Sequence, residues 1–335
     1  MRRHAFTFDH LNRMSDRRGL FEHAKGTIPR REHGYCTDDN ARLLLITSRG
    51  PDAGSAHHLS RLALAFVLDA QAPDGQFHNR MDRNGTWTDT ATTQDWWGRS
   101  LCALGSASVH HGDVSLRDHA RQAFDNGATH RSVWPRSMAF AALGAADVLG
   151  DDPSSEVARS LLADALDAIG PILPGPWAWP EARLSYANAT VAEAVIAAGA
   201  ALDRPTDLER GLSMLAWLLE LETAHGHLSV APVGGRGPSD PSPMFDQQPI
   251  EVAAMADACW RAYVLTGEER WAHGISVAAF WFDGRNDSGL EMMDKQSGGG
   301  YDGLHRHSVN RNEGAESTMA FISTMQRARK FVFSS

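Results

Sequence analysis

Ala- and Leu-rich stretches recur along the chain with apolar residues spaced three and four apart, a period that predicts amphipathic helices. They fall near residues 38–48, 56–71, 94–109, 115–127, 135–149, 154–170, 186–202, 205–223, 247–266, 268–282 and 313–331. A shorter stretch near 6–16 makes twelve and would close a ring by pairing with the last. Strand-like alternation is confined to pieces such as 76–79 and 227–230, which follow one helix and precede the next. These are expected to be short β-hairpin excursions.

Two kinds of helix start alternate. One set begins with ordinary caps, such as Gly54-Ser55, Val114-Ser115, Pro153-Ser154-Ser155 and Pro205-Thr206-Asp207. The other begins with bulky, multiply polar clusters that exceed any capping need. These are Thr37-Asp38-Asp39-Asn40, Gln94-Asp95-Trp96-Trp97, Trp134-Pro135-Arg136-Ser137, Tyr186-Ala187-Asn188, Asp246-Gln247-Gln248 with Glu251, and Asn310 to Asn312 with Glu313 and Glu316. The bodies behind them are small and apolar, as in Ala139–Gly144 and Val191–Gly199, which suits tight central packing. The predicted fold is therefore all-α, an (α/α)6 toroid of paired helices with short β-hairpin excursions on its functional rim. Spacing of about 40–65 residues between clusters is too irregular for a short-repeat solenoid. No linker stands out, so residues 1–335 are expected to form one domain, with the Gly/Pro/Ser-rich segment 232–243 reaching over the cleft.

Composition narrows the function. A net charge of −9 leaves no basic stripe for nucleic acid, and no run is apolar enough to span a bilayer. Cys36, Cys102 and Cys259 are read as buried thiols. With no apolar stretch after Met1-Arg2-Arg3-His4, a cytoplasmic location is expected. The histidines lack zinc-ligand spacing, so neither a metal nor another cofactor is expected.

Acids, amides and aromatics gathered at one rim are the chemistry of a carbohydrate cleft. Glu181, in the stiff loop Trp177-Ala178-Trp179-Pro180, is the leading candidate for a general acid, since apolar walls disfavour its charged form; its bland role is a surface partner of Arg183. Asp38 and Asp39 diverge by about 100° on their helix and are expected to do different jobs, base or cap, with Arg42 fixing one of them. Asp302, beside Gly298-Gly299-Gly300, and Glu316 are the remaining catalytic candidates. Asp95, Trp96, Trp179, Tyr186 and Tyr301 are read as stacking and hydroxyl-binding groups. Asn188, Asp246, Gln247, Gln248, Glu251, Asn310 and Glu313 complete the substrate-binding set.

The segments Gly34-Tyr35-Cys36-Thr37-Asp38-Asp39-Asn40-Ala41-Arg42, Asp246–Glu251 and Asn312-Glu313-Gly314-Ala315-Glu316-Ser317-Thr318 resemble a bacterial family of six-hairpin, glycosidase-like domains that occur alone or beside glycosyltransferase domains. The resemblance implies an (α/α)6 toroid, a sugar-related ligand and a functional link to a glycosyltransferase. A glycoside hydrolase acting on an oligo- or polysaccharide is the leading expectation. A sugar 2-epimerase or isomerase would instead need two rim histidines face to face, for example His33 and His305. A non-catalytic glycan-binding protein would tolerate loss of any single acid.

Overall fold

The computed structural model describes residues 6–49 and 53–332. Its helices run in chain order as α1 (Asp9–Arg13), α2 (Thr37–Ser48), α3 (Ala53–Ala70), α4 (Asp95–His110), α5 (Val114–Gly127) and α6 (Pro135–Asp151). They continue as α7 (Glu156–Ile169), α8 (Asn188–Ala201), α9 (Pro205–Thr223), α10 (Pro249–Thr266), α11 (Glu269–Phe282) and α12 (Ala315–Val332). The even-numbered helices pack side by side, and α12 meets α2 to close the ring. Each odd-numbered helix from α3 to α11 packs outside its even neighbours. The fold is an (α/α)6 toroid. Among the described residues no helix is long and apolar enough to cross a membrane.

Sequence explains which helices go inside. Every residue of α8 from Asn188 to Gly199 is buried, because a central helix meets neighbours on all sides. Outer helix α7 buries only one stripe, Ala158, Leu161, Leu162, Ala165, Leu166 and Ile169. Proline at the first turn opens α6, α9 and α10, where its missing N–H costs nothing.

Inner helices α4 and α6 approach through glycine. A methyl group at Gly105 would lie 2.4 Å from the Gly144 carbonyl oxygen, and one at Gly144 would lie 2.1 Å from that of Leu101. Gly144→Ala is expected to cost about 1–3 kcal/mol, since neither backbone can yield without unpacking the ring. Denaturant midpoints of the variant and the parent measure it; an unchanged midpoint would show the contact to be soft.

The strands are short, as the hairpin expectation has it. Among the described residues three two-stranded antiparallel pairs occur: β1 (Ala24–Lys25) with β2 (Ile28–Pro29), β3 (Tyr35–Cys36) with β4 (Arg80–Met81), and β5 (Gly303–Leu304) with β6 (Val309–Asn310). The β3–β4 pair is no hairpin. It ties the entry of α2 to the chain that follows α3, placing Asn79 and Arg80 beside Asp38. Residues 227–230 form no strand, and α1 is shorter than the expected 6–16.

Candidate active site

Six inner helices enter from the same end, and the positive ends of their dipoles favour carboxylates there. Two cavities open at this end and share Asp38. One, about 360 Å³, lies between the starts of α2 and α12, where Asp38, Asp39, Arg42, Asp302 and Glu316 meet. The other, about 490 Å³, lies toward α4 and α6 and is walled by Trp96, Trp134, Tyr186, Arg136 and Glu181.

Arg42 organises the first half. Its guanidinium sits 2.6 Å from Asp39 Oδ1 and 2.6 Å from Glu316 Oε2, bridging α2 to α12. Asp39 also accepts from the Cys36 thiol at 3.2 Å and is almost wholly buried. Burial pushes its carboxyl up to about 6, more than Arg42 lowers it. Glu316, by contrast, keeps 37% of its side chain exposed to the cavity mouth.

Asp38 stands at the junction. Its Oδ1 is shut from solvent without a hydrogen-bond partner, and Arg99 Nε lies 3.4 Å away. Burial raises the Asp38 carboxyl above its ordinary range, against the opposing pull of Arg99 and Arg42. The Arg99 guanidinium lies over the Phe140 ring at 3.9 Å, so it cannot swing freely onto Asp38. Asp302, on the loop entering β5, accepts from the Gly314 N–H at 2.8 Å; its carboxyl is raised by burial.

Glu181 lines the aromatic cavity and is held there in an ion pair. Arg136 grips its Oε1 at 2.5 Å, and Trp179 Nε1 donates to Oε2 at 3.3 Å. A carboxylate gripped this closely by a guanidinium is poorly arranged to hand over a proton, whereas burial raises the carboxyls of Asp38, Asp39 and Asp302. Trp179 is a core residue with no exposed face, stacked on Trp217 of α9 at 5.9 Å. It offers no platform to a sugar.

Other expected binding residues divide in the same way. Asp95, Trp96, Tyr186, Gln248 and Asn310 line the cleft. Tyr186 donates its hydroxyl to Asp95, and its ring faces the Arg136 guanidinium at 5.1 Å. Gln247 is fully buried and occupied by Met244, Asp287 and Trp281. Glu251 accepts from the Ala187 and Asn188 backbone and from the Asn188 side chain, fastening the left-handed Ala187 that opens α8. Glu313 is tied to Ser297 and His10. Tyr301 borders a separate surface cavity with Arg311, and Asp246 pairs with His305 on the exposed rim. Segment 232–243 is pinned to residues 183 and 184 by Arg183–Asp240 and Leu184–Arg236 bonds, and none of it lines either cavity.

Glu22, His23, Asn79 and Arg80 line the cleft without having been singled out. They come from the irregular entry loop and β4, where no period marks them. Trp134 and Arg136 carried the same helix-start signal as the other clusters.

Behind the rim, Glu222 on α9 is buried with one backbone bond, from Ala231 N–H at 3.1 Å. Burial, with the nearby Glu251 charge, raises its carboxyl from 4.5 to about 8. A folded value above the unfolded one means stability is full below about 4.5 and declines as pH rises through about 8. Glu222→Gln should remove that slope, making the variant more stable than the parent by roughly 3–5 kcal/mol at alkaline pH and little different at pH below about 4.5. Calorimetric unfolding across that window checks it, and parallel profiles would refute it.

No family model and no curated protein matches the chain. Solved structures do. A sugar epimerase from a ruminal bacterium superposes with a TM-score of 0.72 at 13% identity, covering 97% of this chain and 96% of that one. Cellobiose 2-epimerase from Bacillus thermoamylovorans gives 0.72 at 9% identity, with 96% of each chain covered. An α-mannanase from Bacteroides thetaiotaomicron gives 0.61 at 12% identity, covering 90% of this chain and 88% of that one. At such identities the likeness is one of fold: the six-hairpin toroid used by sugar epimerases, isomerases and glycosidases.

Proposed function

We propose that the protein is a carbohydrate-active enzyme, a glycoside hydrolase, with the cleft around Asp38 as its active site. The observation that carries this reading is the gathering of Asp38, Asp39, Asp302 and Glu316 around one cavity whose lining includes a single histidine, His23. Asp38, held above the ordinary carboxylate range by burial, is the proton donor. As the glycosidic C–O bond breaks, its proton passes to the leaving oxygen. Glu316, positioned by Arg42 at 2.6 Å, takes a proton from the water that adds at the anomeric carbon. Trp96, Trp134 and Tyr186 supply stacking faces for neighbouring sugar units; Trp134 is 57% and Tyr186 42% exposed.

Epimerisation is the second reading, favoured by one contact. His33 meets not His305 but His23, ring to ring at 5.2 Å, and His23 borders the cavity. Incubating an oligosaccharide panel with the enzyme in deuterated water separates the two. Hydrolysis yields new reducing ends and no deuterium at C2. Epimerisation through a C2 proton transfer leaves the chain intact and labels C2. The expected result is the first; C2 labelling without cleavage would overturn it.

A further inference from the structure

The two halves of the cleft differ in charge. Around the half bounded by α2 and α12, carboxyl groups outnumber guanidiniums. Arg80 pairs with Glu22, Arg99 faces Asp38, and Arg42 alone must serve both Asp39 and Glu316. Asp302 is left over. Among the described residues no salt bridge reaches it; its hydrogen-bond partners are the Gly314 N–H and the Ser317 hydroxyl, and the His23 imidazole on the same cavity is the nearby group whose charge favours its anion, while Glu316 opposes it. A neutral sugar needs acceptors, but an amide or hydroxyl would supply them without the cost of desolvating an unpaired carboxylate. In the aromatic half Arg136 is matched with Glu181, and the acid without a cation there, Asp95, takes the Tyr186 hydroxyl.

On the reading of the cleft as a hydrolase site, we propose that the sugar unit seated between α2 and α12 carries a free ammonium group, and that Asp302 receives it. The substrate class is then a glycoside of an unsubstituted amino sugar. Its ammonium supplies a permanent countercharge where the protein offers Asp302 no arginine or lysine and only the His23 imidazole nearby, and Glu316 adds to the attraction from the cavity mouth. Selectivity against the N-acetylated form follows, because an acetamide removes the charge and leaves Asp302 unpaired again.

Binding can be measured apart from cleavage, so that a failed hydrolase assay and a failed charge assignment are told apart. Methyl glycosides of 2-amino-2-deoxyhexoses, in both anomers, are titrated calorimetrically beside their N-acetylated and neutral counterparts. The expected result is that the ammonium forms bind roughly tenfold to hundredfold more tightly. That advantage shrinks in high salt, shrinks at acid pH as Asp302 takes up a proton, and disappears in Asp302→Asn. Asp302→Asn should leave the weak binding of the N-acetylated forms in place, which also reports that the variant is folded. Equal or weaker binding of the ammonium forms, binding of none of the three classes, or an advantage that persists in Asp302→Asn would overturn the proposal. If the ammonium forms bind selectively while no glycoside is cleaved, the hydrolase reading fails and the charge assignment stands.

Discussion

Asp38→Asn is expected to lower hydrolysis of unactivated glycosides by about 10²- to 10⁴-fold, the range a positioned general acid contributes, with little change in KM. Asparagine copies the shape of the protonated acid and takes no hydrogen bond from Arg99 away, since Asp38 Oδ1 accepts none, so the fold should hold. The diagnostic is the leaving group. A substrate that departs as a stable anion, such as a nitrophenolate, needs no proton, and the variant should cleave it at near-parental rates. Glu316→Gln should lose both substrates, because its task does not depend on the leaving group. The pH profile provides a second check. Activity requires protonated Asp38, so the alkaline limb of kcat/KM should follow its raised carboxyl and vanish in Asp38→Asn with the activated substrate. Equal losses on both substrates would remove Asp38 from the acid role.

The ring of helices was legible because two signals coincided. The helical period set the element positions, and the contrast between plain caps such as Pro205-Thr206-Asp207 and crowded starts such as Thr37–Asn40 told outer helices from inner ones. The observed inner starts at 188, 249 and 315 lie two residues later than expected; Ala187 is left-handed and Gln248 extended just before their helices. Side-chain roles were less legible, for a physical reason. A polar residue beside a helix start looks the same in sequence whether it faces the cleft or braces the backbone behind it. Gln247 and Gln248 are adjacent, yet only Gln248 borders the cavity, since Gln247 is turned onto Asp287. Glu251 and Glu313 went to fastening loops. Glu181 sits in the aromatic loop that singled it out, but its ion-pair partner, Arg136, is 45 residues away in sequence. Only the fold brings the two together.

Arg42 carries the largest expected effect on stability. Replacing it with methionine leaves Asp39 buried without its cation and separates Glu316 from α2, and breaking a buried pair in this way costs about 3–5 kcal/mol. Asp39 makes that cost depend on pH. Its carboxyl titrates at about 6 even with Arg42 in place, and losing the guanidinium pushes it higher still. Below that range the Asp39 carboxyl is protonated in both proteins, and the arginine is left with Glu316, more than a third exposed, as its partner. Above it, the parent keeps a compensated anion, whereas the variant must hold either an unpaired anion or a proton taken up at increasing cost. The penalty should therefore be small near pH 5 and approach its full size near pH 8. Arg42→Lys should recover part of the stability but little activity, because one ammonium cannot span both carboxylates as the fork does. Denaturant midpoints of the three proteins at the two pH values decide the matter. A penalty that is the same at both would mean that Arg42 acts through packing, and that Asp39 and Glu316 do not depend on its charge.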